Sequence, residues 1–127
     1  MIEGSVFALT LIAAMQAINV AVINRTFLGA FFGTAAACAL LAVASFLSWP
    51  EPGALFLLAG STLYLVGTIL VTIAFNVPLN DALAAVEPGS VEGVSLWHRY
   101  LACWTTWNHL RTAASLGAAA ALMMALR

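Results

Sequence analysis

The sequence predicts an all-α membrane protein, a bundle of about four transmembrane helices within one domain over residues 1–127. Of the 127 residues, 64% are hydrophobic and only 7% are charged, which is too few charges to solvate a soluble surface. The apolar residues also form runs of about 20, the length with which a helix crosses a hydrocarbon core of about 30 Å. We therefore expect a multi-pass protein of the cell membrane, surrounded by membrane lipid.

Helix is the expected structure of these runs, because a segment in lipid must satisfy its own backbone hydrogen bonds and no run alternates like a barrel strand. The four expected spans are residues 4–23, 27–49, 54–76 and 100–126. The first is the least secure, since Gln16 and Asn19 lie in its second half and an interfacial position is the alternative. Pro50, Pro52 and Gly53 predict a tight turn, and hence an antiparallel hairpin of the second and third spans.

The third loop, residues 76–96, is the only extended polar stretch of the sequence. Asn80 or Asp81 can cap a short amphipathic helix that runs to Glu87, where Pro88 and Gly89 would end it. Single arginines flank the spans, so membrane orientation stays open.

Composition and cysteine usage exclude several classes of function. Five acidic residues stand against four arginines and no lysine, so no basic patch exists to bind nucleic acid. Cys38 and Cys103 are too few for a disulfide scaffold or a structural zinc site. His98 and His109, three helical turns and about 16 Å apart, cannot bind one metal ion together. We expect neither metal nor cofactor.

Two patterns within the spans predict helix packing. Gly29 and Gly33 form a G-x-x-x-G motif, which allows close approach of two helices and permits a homo-oligomer. A polar row on the third span recurs every four residues and comprises Tyr64, Thr68, Thr72 and Asn76. We expect this row to face the bundle interior, where it serves either ordinary packing or a ligand-lined surface.

The last span holds a polar cluster in an otherwise apolar helix. Helical spacing places on one face Trp104, Trp107, Asn108 and Arg111, and Trp97 and Tyr100 extend that face toward the loop. His109 points about 100° away from Asn108 by the same geometry. The tryptophans are equally well explained by an aromatic belt at the lipid boundary.

Arg111 requires compensation, because an arginine near the centre of a membrane helix costs roughly 2.5–3.5 kcal/mol on insertion scales. Asn76, Asn80 and Asp81 are the expected partners, since the end of the third span and the start of the fourth lie on the same side of an antiparallel bundle. The alternative is that Arg111 reaches a nearby interface or ties the third loop down.

Three strings of the sequence resemble those of a known family. They are Met15-Gln16-Ala17-Ile18-Asn19, Asn76-Val-Pro-Leu-Asn80-Asp81 and Trp107-Asn108-His109-Leu110-Arg111-Thr112. Together they resemble the anthrone-oxygenase-like family, small bacterial integral membrane proteins mostly of unknown function, from about residue 15 to the C-terminus. Only fourteen residues precede the first string, so we expect the family's first helix to be missing or shortened.

The resemblance implies a helical bundle and a cofactor-independent, anthrone-type monooxygenase. In that interpretation a lipophilic aromatic or quinol-like substrate enters from lipid, loses a proton, and reacts as a carbanion with O2. His109 is the expected base, with a bound water or Asp81 as alternatives, and Arg111 and Asn108 complete the catalytic group. The expected substrate-binding residues are Asn19, Asn76, Asn80, Trp104 and Trp107.

A second interpretation stays open, because the sequence has no strong nucleophile–base pair and no metal-ligand spacing. The same cluster would then belong to a non-catalytic membrane module that binds a lipophilic small molecule or a partner subunit.

Overall fold

The structure, a computed structural model, describes the backbone of residues 2–127 and the side chains from Val6 onward. Within these residues the chain is helical and contains no strand. The helices are α1 (Ile2–Ala21), α2 (Arg25–Leu47), α3 (Ala54–Tyr64), α4 (Val77–Ala84) and α5 (Val91–Ala125). Two π-helical segments, Leu65–Leu70 and Thr72–Asn76, join α3 to α4. The prediction of an all-α bundle is confirmed.

The third predicted span and the short loop helix form a single helical rod over residues 54–84. Pro78 has no N–H to donate, and in a regular α-helix its ring would crowd the carbonyl of Ala74. The π-helical turn that precedes Pro78 is wider, which lets the helix continue through it. The short helix expected in the third loop is present as α4, but it begins at Val77 rather than near Asp81. Asn80 therefore lies inside the helix, and no side chain caps the N-terminus of α4.

The predicted hairpin of the second and third spans is confirmed, because α2 ends at Leu47, α3 begins at Ala54, and the two helices pack together. Gly53 has φ +90°, a conformation that strains residues with a side chain. A Cβ at this position would also lie 3.1 Å from the carbonyl oxygen of Ala125. At the other end of α2, the Asn24 side chain caps the helix by accepting from the Phe27 N–H at 2.8 Å.

The rod is the centre of the bundle. It packs against α2 on one side and α5 on another, and α1 packs against α5 and α4. Although α1 and α2 follow one another in sequence, they diverge and do not pack together within the described residues.

Small residues allow the rod and α5 to approach each other closely. A Cβ on Gly60 would lie 2.8 Å from Leu122 Cγ, and a Cβ on Gly67 would overlap with that of Ala114. Gly29 and Gly33 meet nothing within 4 Å in the described structure. The close packing expected of the G-x-x-x-G motif is therefore made by other glycines.

Much of the apolar surface is exposed. By length and composition, two helices of the described chain could cross a membrane, Arg25–Leu47 and Ala54–Ala84, and only 6% and 28% of their most apolar stretches are buried. Val6–Ala21 is apolar but shorter, and α5, which carries Arg111, does not meet the same criterion. Two of the four expected spans thus have the composition of a membrane helix.

We predict that Gly67→Ala lowers the thermal unfolding temperature in detergent, because the new methyl group would overlap with Ala114. Gly29→Ala is the matched control, and should be neutral or stabilising by up to about 1 kcal/mol, since its surroundings are open and alanine favours helix. Adding Ala114→Gly to Gly67→Ala should restore stability. Equal effects of the two glycine substitutions would contradict the assigned interface.

Candidate functional site

A polar groove lies on α5, beside the first π-helical segment. It has a volume of about 310 Å³ and is lined by Thr68, Asn108, Arg111, Thr112, Ser115 and Leu116. The five lining residues of α5 recur at three- and four-residue spacings, which places them on one helical face. The predicted shared face of Asn108 and Arg111 is thus observed as one wall of a groove.

Arg111 is the charged member of the groove. It is half-buried, and its Nε is fully buried with no hydrogen-bond partner. None of the six lining residues is acidic. The acidic residues whose side chains are described, Glu51, Asp81, Glu87 and Glu92, are all exposed. The groove therefore offers a positive charge without a neutralising carboxylate.

Asn76 and Asn80 bond to other groups and Asp81 is exposed, so none of the three expected partners pairs with Arg111 and that prediction is wrong. Asn76 donates through Nδ2 to the Trp104 carbonyl at 3.3 Å, and Asn80 accepts from Tyr100 at 2.7 Å. In this antiparallel register Asn76 lies opposite Trp104, which is seven residues, or about 10 Å, from Arg111 along α5. Thr68 lies opposite Arg111 instead, with Oγ1 3.5 Å from its carbonyl oxygen.

Most of the predicted substrate-binding residues lie in a second place, an amide–aromatic cluster of Asn19, Asn80, Trp97, Tyr100 and Trp104. The Tyr100 hydroxyl donates to Asn80 Oδ1 at 2.7 Å and also interacts with Asn19. The rings of Trp97 and Trp104 stack on Tyr100, with centroids 5.5 and 5.7 Å away. Tyr100 is only 2% exposed. These residues contact one another and form the structural core at this end of the bundle.

Tyr100 is the centre of this cluster, although it is not among the predicted site residues. Its signal in the sequence was its place on the same helical face as Trp97 and Trp104, three residues after one and four before the other. Nearby, Gln16 donates through Nε2 to the carbonyls of Leu83 and Val86 at 2.8 and 3.0 Å. This contact ties α1 to the end of α4.

Three predicted site residues lie outside both the groove and the stacked rings. Asn76 is 1% exposed, and its Oδ1 has no partner. Trp107 stacks on Phe75 with a centroid distance of 3.9 Å, so it does not face the groove. His109 is exposed and absent from the groove lining, as expected for a residue about 100° around the helix from Asn108. The structure therefore does not bring the expected base to Arg111.

The polar row of the third span faces the interior as predicted. Tyr64 donates to the Phe31 carbonyl of α2 at 3.1 Å and lies within electrostatic range of Arg111. Thr68 and Asn76 are buried against α5, while Thr72 donates to its own helix at Thr68. The row thus links the rod to both neighbouring helices.

The family of the chain follows from a comparison with protein-family models. A model described as anthrone oxygenase matches residues 22–121. The chain belongs to the anthrone oxygenase family. All six groove residues lie inside the matched range, whereas Gln16 and Asn19 of α1 precede it. Searches of curated proteins and of solved structures found no match. Among the side chains that the structure describes, from Val6 onward, no three His, Cys, Asp or Glu are placed to hold a metal ion.

We predict that Tyr100→Phe destabilises the protein by about 1 kcal/mol, because Asn80 loses its donor in a buried site. Asn80→Ala should cost a similar amount, and the double variant should cost less than the sum. Thermal unfolding of the four proteins in detergent gives the coupling energy. Strictly additive effects would show that this hydrogen bond does not stabilise the fold.

Proposed function

We propose that this protein is a multi-pass membrane oxygenase that oxidises a lipophilic aromatic, anthrone-like or quinol-like substrate with O2 at the polar groove, without a cofactor. The observation that carries the proposal is the pairing of Arg111 and Asn108 in a groove that contains no carboxylate. Membership of the anthrone oxygenase family supports the reaction class.

The membrane location is supported by the exposure of the apolar helices. A core helix of a soluble protein is mostly buried, whereas 6% of the most apolar stretch of α2 is buried. Exposed large side chains on α2 include Phe32, Leu40, Val43, Phe46 and Leu47. An apolar surface of this kind requires cover by lipid or protein. Lipid cover would also deliver a lipophilic substrate to the groove.

The proposed reaction converts an anthrone and O2 into an anthraquinone and water. Loss of a proton from the carbon opposite the carbonyl gives an enolate, whose negative charge lies largely on oxygen. The carbanion centre then bonds to O2 to give a peroxide anion, which takes up the proton released in the first step and becomes a hydroperoxide. Loss of water from the hydroperoxide, with the remaining hydrogen of that carbon, leaves the second carbonyl. Arg111 and the Asn108 amide would donate to the enolate oxygen, where charge develops.

The groove lining contains hydrogen-bond donors but no carboxylate or histidine that could act as a base. In this proposal the protein therefore acts by stabilising the negative charge of the enolate. Stabilisation of the enolate oxygen makes the substrate more acidic, so that water in the open groove suffices as proton acceptor. His109 then has no part in proton transfer. A lining with a positive charge and no carboxylate also favours a second candidate function, a non-catalytic membrane module that binds a lipophilic anion.

We predict that Arg111→Gln lowers turnover about a hundredfold while leaving the unfolding temperature of the protein largely unchanged. The measurement is oxygen uptake by purified protein in detergent with anthrone, against heat-denatured protein and buffer. Arg111→Lys should retain part of the activity through its charge, and His109→Gln should retain all of it. If Arg111→Gln is stable and fully active, Arg111 has no role in the reaction. If wild-type protein consumes oxygen no faster than denatured protein, the non-catalytic binding module is favoured.

We also predict that the protein stays in the membrane pellet after alkaline carbonate extraction of cells that express it. Carbonate removes peripheral proteins but not helices held by burial in hydrocarbon. A peripheral membrane protein in the same extract serves as control. Release of this protein into the supernatant together with that control would contradict the membrane location.

A further inference from the structure

Ser115 differs from the hydroxyl residues that bond within their own helix. Several of those hydroxyls donate to the carbonyl four residues earlier, namely Thr10, Thr34, Ser45, Ser48, Thr72, Thr106 and Thr112. The Ser115 hydroxyl instead pairs with Thr68 across the helix interface, with 2.7 Å between Oγ and Oγ1. Ser115 also lines the groove. Ser115 therefore bonds to a neighbouring helix at a position where it also borders the groove.

The two hydroxyls have two protons, and only one of them lies between the oxygens. If Ser115 donates to Thr68, the Thr68 proton is left for the Arg111 carbonyl, 3.5 Å away and at the limit of a hydrogen bond. If Thr68 donates to Ser115, the Ser115 proton is free to point into the groove. An anion in the groove favours the second arrangement, because a charge-assisted hydrogen bond replaces a marginal one.

The groove would then present three donors and no acidic group. Arg111, Asn108 and Ser115 all line it, one helical turn apart along α5. Thr112 lines it too, but its proton is already donated to the Asn108 carbonyl at 3.0 Å. Arg111 lies one helical turn from each of the other two, whereas Asn108 and Ser115 are seven residues, or about 10 Å, apart. A charged donor with a hydroxyl donor one turn away, as in Arg111 and Ser115, suits an oxyanion better than a neutral or cationic group.

We infer that Ser115 donates to the substrate oxyanion beside Arg111, and that Thr68 is a positioning residue that keeps the Ser115 proton available for it. The inference rests on the proposed function and specifies its ligand as an enolate or phenolate oxygen. It also explains why a polar contact is kept between the rod and α5 at this level. Thr68 and Ser115 act as one unit, since the arrangement of one proton sets that of the other.

The test compares four single variants and one double variant in the same detergent. Ser115→Ala removes the donor, and Thr68→Val removes its partner at nearly constant volume. In Thr68→Val the Ser115 hydroxyl is free to donate to the Arg111 carbonyl, as many helical hydroxyls do, and so turns away from the groove. Thr68→Ser keeps the hydroxyl pair. Thr106→Val is the matched control, because Thr106 is exposed, donates to Ala102 and lies outside the groove.

In oxygen-uptake assays with anthrone, Ser115→Ala and Thr68→Val should each lower kcat about tenfold with little change in KM. This is less than the loss typical of an enclosed oxyanion hole, because the groove is open to its surroundings. The double variant should be no slower than Ser115→Ala alone. Thr68→Ser and Thr106→Val should keep wild-type kcat.

A binding measurement tests the same residues without turnover. The probe is β-hydroxyanthraquinone, whose visible spectrum reports the ionisation of its hydroxyl, titrated with each protein and with empty detergent. Wild-type protein should lower the apparent pKa of the bound probe relative to detergent alone, because the donors favour the phenolate. Ser115→Ala and Thr68→Val should raise that pKa by about one pH unit, and Thr106→Val should not.

The outcomes separate this inference from the proposed function. A Ser115-dependent pKa of the bound probe without any anthrone oxidation would support the donor role of Ser115 and contradict the oxygenase. Oxidation and a lowered probe pKa that are both unchanged in Ser115→Ala would support the oxygenase and overturn the donor role. A loss of kcat in Thr68→Val that Thr68→Ser also shows would overturn the positioning role of Thr68.

Discussion

The close approach of the rod (residues 54–84) and α5 is the constraint on which the rest of the structure depends. Gly60 and Gly67 leave no room for a side chain at this interface, so the two helices lie against each other in one register. That register places Thr68 opposite Ser115 and Asn76 opposite Trp104. Close contact through small residues suits an apolar environment, where association depends on packing rather than on the hydrophobic effect.

This register places some polar residues in the amide–aromatic cluster and others in the groove. At one end, the amide–aromatic cluster pairs its hydroxyl and amide groups and holds α1 and α4 in place through Tyr100 and Gln16. About 10 Å further along α5, near the middle of that helix, Arg111 keeps a buried Nε without a partner. Ser61 Oγ, Asn76 Oδ1 and Trp104 Nε1 are buried without a partner as well, but Arg111 alone among these residues is charged and lines the groove. The amide–aromatic cluster thus packs the helices beside the groove proposed to react.

The sequence was sufficient for the helices, the turn at Gly53 and the shared face of Asn108 and Arg111, because each follows from local periodicity or backbone chemistry. The residues that lie opposite Arg111 could not be predicted, because they depend on the axial offset between α5 and the rod. That offset is set by glycines far apart in sequence and by two π-helical segments that have no clear sequence signature. The position of Tyr100 on the shared face follows from the sequence, but its bond to Asn80 does not, since an asparagine at that position is equally suited to cap a helix.

The two π-helical segments have a consequence for how this bundle tolerates insertions and deletions. A wide turn holds about one residue more than an α-helical turn. Deletion of one residue between Leu65 and Asn76 can therefore be absorbed by conversion of a wide turn into an ordinary one, with Thr68 still beside Ser115 and Asn80 still beside Tyr100. Deletion of one residue from the α-helical part of the rod has no wide turn to absorb it and would rotate the rest of the rod by about 100°. The two π-helical segments are thus the part of the rod that tolerates a change of length.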